Sequence, residues 1–246
     1  MGQATLAQMR DEVYSYLTAK VGMGIVRLVN GKEVVSTPTI ATQSTPIQTP
    51  EEIVRNHFSP SYIDILLNRG LDYVCRKSEC LYAEVTGTVP INTRWFWLWN
   101  KALSIIKVRW EGVIITPTTI EEANTKDANW LTTTSYRTPT EYVYYSKQLG
   151  AGGGHSIRLI NPPSVAGTLK LECTRLPDTM TSTVNCALED SWHGMVIDWV
   201  CYAILGEVAK IQKMGQELED MKREAWSRDF DRQGRVVNID HANYWK

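Results

Sequence analysis

Apolar side chains recur every three or four positions in four stretches, residues 5–20, 59–80, 189–212 and 215–230, which places them on one face of a helix. Between the second and third stretches the period falls to two over roughly a hundred Thr- and aromatic-rich residues, a spacing that predicts strands. The first helix has a readable start: Thr5 caps it, Gln8 reaches back, and Leu6, Met9, Val13 and Leu17 follow on one side. Thr49-Pro50-Glu51-Glu52 combines a cap, a first-turn proline and a capping-box glutamate, predicting a short helix to about Phe58. Ser59-Pro60 repeats the device ahead of the stripe Ile63, Leu66, Leu67, Leu71, Val74 and Cys75, which runs to about Cys80. Gly70 inside it reads as a tolerated flaw costing ~1 kcal/mol relative to Ala. From Leu188 the helical period returns with Met195, Val196, Trp199, Val200, Ala203 and Ile204; Gly215 predicts a turn, and a shorter charged helix with Leu218, Met221, Ala225 and Trp226 completes a helical hairpin.

The alternating region, Leu81 to Asp178, predicts about six strands in a small antiparallel sandwich or barrel. Its strands include Ile105–Trp110, Tyr142–Tyr145, Ser156–Ile160 and Thr168–Cys173. Trp95, Trp97 and Trp99 share one side of another strand, with Phe96 and Leu98 on the other. The tryptophans are expected to pack on the core or on a neighbouring subunit, because no basic stripe surrounds them as a base-stacking surface would require.

Two further segments lack a period of their own. Ile25, Val26, Leu28 and Val29, followed by Asn30-Gly31 and Lys32-Glu33-Val34-Val35, predict a hairpin, since Asn-Gly tolerates the positive φ of a two-residue turn. Residues 36–49 are Thr, Ser, Pro and Gln, too polar to build a core, and are expected to form an arm that bridges to a neighbour. At the other end Gly234 stops the last helix, Val236, Val237 and Ile239 form a β-capable run, and Tyr244 and Trp245 place two large rings near the terminus. The fold class is therefore α+β: a bundle of about four helices interrupted by an antiparallel β-domain. The helical domain is assigned to 1–20, 50–81 and 187–230, the hairpin and arm to 21–49, the β-domain to 82–178 and a tail to 231–246.

Composition narrows the function. With 246 residues, 43% hydrophobic, there is enough apolar material for two domains. Lys+Arg number 26 against Asp+Glu 27, for a net charge of −1, and no stretch concentrates cations as a nucleic-acid groove does. Five cysteines without Cys-x-x-Cys spacing predict free thiols in a reducing compartment. The absence of a cationic start followed by an apolar run, and of any apolar stretch of about 18 residues, predicts a chain that neither carries a secretion signal nor spans a membrane.

No catalytic, cofactor or metal site is expected. Glu189, Asp190 and His193 are spaced to share a helix face, yet acidic residues at a helix start serve the free amides, and a metal needs a third ligand that the scattered histidines do not supply. Ser191 lacks the glycines of a nucleophile elbow. Gly150-Ala151-Gly152-Gly153-Gly154 precedes a strand and lacks the Lys-Ser/Thr of a phosphate cradle, so it reads as a hairpin loop.

The order of segments resembles the head-to-tail connector (adaptor) proteins of tailed bacteriophages. The resemblance rests on Thr5–Arg10, Leu67–Val74, Val108–Gly112, Ile120–Glu122, Asn129-Trp130, Thr138–Tyr142, Ile157–Pro163, Leu169–Leu171, Arg175–Pro177 and Leu188–His193. It departs at residues 21–58, where the family link is short, and at Trp97–Asn100, where the family often has Leu-Pro-Asp. It implies a non-enzymatic ring of about twelve copies beneath the portal protein at the head-to-tail junction of the virion, assembled in the host cytoplasm. Downstream nozzle, stopper or tail-tube proteins would attach below, and genomic DNA would pass through the lumen without specific binding. Val236, Val237, Ile239, Tyr244 and Trp245, with Ile25, Val26, Leu28 and Val29, are the expected partner-binding residues. The competing readings are a ligand- or glycan-binding β-module on a helical stalk in a phage tail, with the tryptophans and Tyr142, Tyr144 and Tyr145 as a platform, and a hydrolase built on His193.

Overall fold

The computed structural model describes residues 3–22, 28–29, 32–33, 49–98, 101–132, 136–145 and 156–233. It is α+β. The chain divides into two compact units, Met1–Lys77 with Pro177–Glu219, and Ser78–Leu176 with Asp220–Lys246.

The first unit is helical. Helix α1 (Leu6–Gly22) starts with a reciprocal cap, Gln8 N donating to Thr5 Oγ1 at 3.2 Å and Thr5 N to Gln8 Oε1 at 2.8 Å. Its four stripe residues are all buried. Helix α2 (Pro50–His57) carries the expected Thr49–Glu52 capping box. Helix α3 (Pro60–Ser78) buries Ile63, Leu66, Leu67, Leu71, Val74 and Cys75. A bidentate pair, Arg10 to Asp64 at 2.8 and 2.9 Å, ties α1 to α3. The Asn68 side chain clamps the backbone of Met180, accepting from its N–H at 2.7 Å and donating to its carbonyl at 3.3 Å.

Two readings of glycine need correcting. Gly70 is a point of close approach: a Cβ there would meet the Trp199 ring at 3.0 Å and the Val196 carbonyl at 3.2 Å. Gly215 makes no turn. It lies inside α6 (Val208–Gln233), where the missing side chain admits the Tyr73 hydroxyl, which donates to Ile211 O at 3.2 Å. The turn falls at Gly206, whose φ of 72° ends α5 (Asp190–Leu205) in the left-handed conformation a glycine adopts without cost.

The second unit holds seven strands: β3 (Tyr82–Val89), β4 (Trp95–Trp97), β5 (Ala102–Trp110), β6 (Val113–Pro117), β7 (Glu141–Tyr145), β8 (Ser156–Leu159) and β9 (Gly167–Arg175). Their order is β3-β9-β5-β6-β7-β8-β4, in a nearly closed barrel. The separate strands β1 (Leu28–Val29) and β2 (Lys32–Glu33) pair as expected, Leu28 opposite Glu33 and Val29 opposite Lys32. The sheet is mixed rather than antiparallel, because β6 and β7 run parallel, with Thr116 N–H donating to Thr140 O and Thr118 N–H to Tyr142 O, both at 2.9 Å. Parallel neighbours require a crossover. Here the crossover holds helix α4 (Ile120–Lys126), which raises the count to six helices among the described residues.

The barrel core centres on Val108, Trp110, Ile115, Ile157, Leu159, Leu169 and Leu171. Two glycines make room for rings: Gly87 on β3 lies under Phe96 of β4, bringing the two end strands together, and Gly167 lies under Trp110. Gly167→Ala is expected to destabilise the protein by about 2 kcal/mol, since a methyl would overlap a ring with no free volume to move into. A urea midpoint equal to that of the wild type would show that the Trp110 pocket yields.

Candidate interaction surfaces

A four-layer stack stands on the outer face of β4, β7 and β8. Strand pairing sets Trp95 opposite Arg158 and Trp97 opposite Ser156, while Val143 and Tyr145 continue the same rows. The Arg158 guanidinium lies 4.9 Å from the Trp95 ring and 5.1 Å from Trp130, and Trp97 stacks on Trp95 at 5.7 Å with 9° between planes. Tyr145 leans on Trp95 at 5.1 Å. Trp130 is buried against Ala123 of α4 and Val143, whereas Trp97 is 51% exposed.

The even and odd sides of β4 alternate as expected, and of the two places expected for the tryptophans, the core or a neighbouring subunit, the core is overturned for Trp95 and Trp97. Phe96 fills the barrel and the tryptophans face outward, because Gly87 leaves a ring-sized gap only on the inner side. Trp99 lies outside the described residues. The expected tyrosine platform is split by the alternation of β7: Tyr142 and Tyr144 pack with the core, where burial pushes their hydroxyls well above the usual phenol range, and only Tyr145 joins the outer stack.

A second surface belongs to the helical unit. Asp64, Ile65, Asn68, Arg69, Asp72, Tyr73 and Arg76 of α3 line a groove with Thr179 and Trp199. The Tyr73 and Trp199 rings meet there at 5.7 Å.

The candidate chemistry resolves into structure. His193 is buried, with Nε2 at 3.1 Å from Leu188 O and Nδ1 at 3.6 Å from Asp190 Oδ1. Glu189 occupies the N-cap of α5 but its side chain makes no capping bond, so only its backbone position matches the expectation. Among the described residues no three His, Cys, Asp or Glu side chains are grouped to hold a metal. All five cysteines are free. Burial, with Asp198 and Glu207 nearby, pushes the Cys201 thiol up to about 12, far from a nucleophile's range. No described helix is long and apolar enough to cross a membrane. Of the expected partner-binding residues, Leu28 and Val29 form β1; Ile25, Val26, Val236, Val237, Ile239, Tyr244 and Trp245 lie outside the described residues, as do residues 150–154.

Arg158 and Trp130 entered the sequence reading only within a predicted strand or motifs of the resemblance, not as surface residues. The alternation Ser156-Ile157-Arg158 places the arginine outward, but its partner could be found only by recognising α4, whose Thr119–Glu122 capping box was legible.

The protein is thus a helical unit and a β-barrel unit, each with aromatic side chains on its outer surface. The chain belongs to the SU10 adaptor protein family, whose model matches residues 40–242. It is a bacteriophage adaptor and thus a virion component. No curated protein matches the chain.

Proposed function

We propose that this adaptor forms a ring of about twelve copies beneath the portal, joins the DNA-filled capsid to the tail, and leaves a channel for the genome. Family membership over residues 40–242 carries the reading, since the match runs through both compact units. The hairpin 25–35 and arm 36–49 bridge to a neighbour, and the tail 231–246 reaches the portal; two paired strands of two residues each are too small to be stable alone and need a sheet edge or groove. The discontinuous domains are the assembly's working parts: 1–20, 50–81 and 187–230 for ring contacts, and 82–178 for contacts with tail proteins.

Electron microscopy of purified portal rings mixed with the protein tests this. Closed rings of about twelve copies stacked on one portal face are expected, and scattered single copies would contradict it.

The lumen lets DNA pass without gripping it. A net charge of −1 with no cationic stripe supplies few phosphate contacts, so no tight binding to free duplex is expected at physiological salt. A nanomolar complex with a steep salt slope in a filter-binding titration would refute this.

One observation favours a second reading. The exposed Trp97 plane, held rigid by Trp95 and Arg158, suits stacking against a sugar face, and a glycan array probed with wild type and Trp97→Ala separates the two.

A further inference from the structure

The helical unit carries two flanks of opposite character. On α3, Tyr62, Ile65, Arg69, Asp72 and Arg76 follow at helical spacing along one stripe, beside the Tyr73–Trp199 ring pair. Tyr62 and Ile65 are 46% and 52% exposed, an unusual amount of apolar surface for one stripe. The charges here are almost balanced. Asp64 is held by Arg10 at 2.8 Å and Asp72 by Arg76 at 2.7 Å, while the exposed Arg69 has no acidic partner among the described residues. The groove is therefore aromatic with one uncompensated positive charge.

The α1 side of α5 is the converse. Asp198 immediately precedes Trp199 on α5 and so lies about 100° from it around the helix, half-buried and close enough to Tyr16 of α1 and to Tyr202 to act on both electrostatically. Burial holds its carboxyl above the usual carboxylate range. The nearest cation acting on it, Lys210, is itself paired with Glu207 at 2.8 Å. Lys20 lies over the Tyr16 ring at 5.4 Å, and one turn before Tyr16 the exposed Glu12 has no basic partner among the described residues. This flank pairs tyrosine rings with carboxylates that lack a full counter-charge.

We propose that the α3 groove of one copy receives the α1–α5 flank of the next, with Arg69 meeting Glu12 and Asp198 and the rings of Tyr16 and Tyr202 covering the exposed apolar stripe. The inference rests on the ring reading above and names its contact. A twofold-symmetric contact through the groove would set Arg69 against Arg69. A head-to-tail contact sets positive on negative and leaves a groove at one end and a flank at the other, so it repeats until the ring closes. Each contact also gives a half-buried carboxylate the cation it lacks, while tyrosine supplies large apolar cover with a polar tip.

Charge reversal in the full-length protein tests the pairing. Self-association is read by sedimentation velocity and native mass measurement at about 50 mM and about 500 mM salt, with Tm as a check that each variant is folded. Arg69 and Glu12 are both exposed, so neither reversal threatens the core. Arg69→Glu alone and Glu12→Arg alone are each expected to weaken association at least tenfold at low salt. A chain carrying both changes should associate measurably more tightly than either single variant, because position 69 again meets an opposite charge at position 12, although it still faces Asp198; Arg69→Glu with Asp198→Lys is the second such pair. Single variants that assemble like the wild type, or a folded double variant with no recovery, overturn the proposal while leaving the ring intact. A wild-type chain that forms no rings, alone or on the portal, overturns the ring reading and this contact with it.

Discussion

Glu79→Ala is expected to lower the unfolding free energy by about 3 kcal/mol. Glu79 is buried and accepts hydrogen bonds from Ser104 Oγ of β5 at 3.0 Å, Thr174 Oγ1 of β9 at 3.2 Å and Lys222 Nζ of α6 at 2.7 Å. One carboxylate thus ties two strands and the second half of α6 together. Truncation removes the acceptor that two hydroxyls and an ammonium share. The Lys222 side chain keeps 29% exposure and can turn toward water, which places the loss at the low end for a broken buried pair. Glu79 has a φ of 49°, but alanine carries the same Cβ, so backbone strain cancels in the comparison. Lys222→Ala should cost about as much, about 3 kcal/mol, because it leaves the buried carboxylate with two hydroxyls but without its ammonium counter-charge. Chemical denaturation of the three proteins decides the matter: a loss near zero for either variant would show that the network does not hold α6.

This carboxylate marks the limit of what the chain reveals before it folds. Caps at Thr5 and Thr49 and the stripes of α1 and α3 were legible because helix starts and helical faces are local, set by residues three and four apart. The parallel pairing of β6 and β7 was not, since a period of two marks a strand but says nothing of its neighbour's direction. Gly215 and Gly206 show the same boundary. Both are helix-breaking residues by propensity, and only the tertiary approach of Tyr73 decides that the first continues a helix while the second ends one. Glu79 itself stands at the end of α3, 25 and 95 residues from the hydroxyls it binds and 143 from the lysine, so no pattern in the sequence connects them. The interaction surfaces divide likewise: the outward alternation of Trp95 and Trp97 was readable, whereas the unpaired state of Arg69 depends on which acids are already taken.

Removing residues 233–246 is expected to leave a soluble, folded protein that no longer attaches to DNA-filled heads. The last described helix, α6, ends at Gln233, so of the described elements the truncation removes only that helix's final residue. Beyond it the sequence holds Val236, Val237 and Ile239, a short run suited to adding a strand to a partner's sheet edge, and then Tyr244 and Trp245. Large rings of this kind act as anchors when they fill a partner's pocket, and Trp245→Ala is expected to cost on the order of 2 kcal/mol per copy. A ring multiplies such anchors, because once one tail is seated the others bind at high effective concentration. Attachment should therefore fall in graded fashion for Trp245→Ala and collapse for the truncation, with Tm unchanged in both. Counting adaptor rings on portal-bearing heads by electron microscopy gives the answer. Wild-type occupancy with the truncated chain would eliminate the tail as the anchor and make the helical segment 189–230 the next surface to test on the portal.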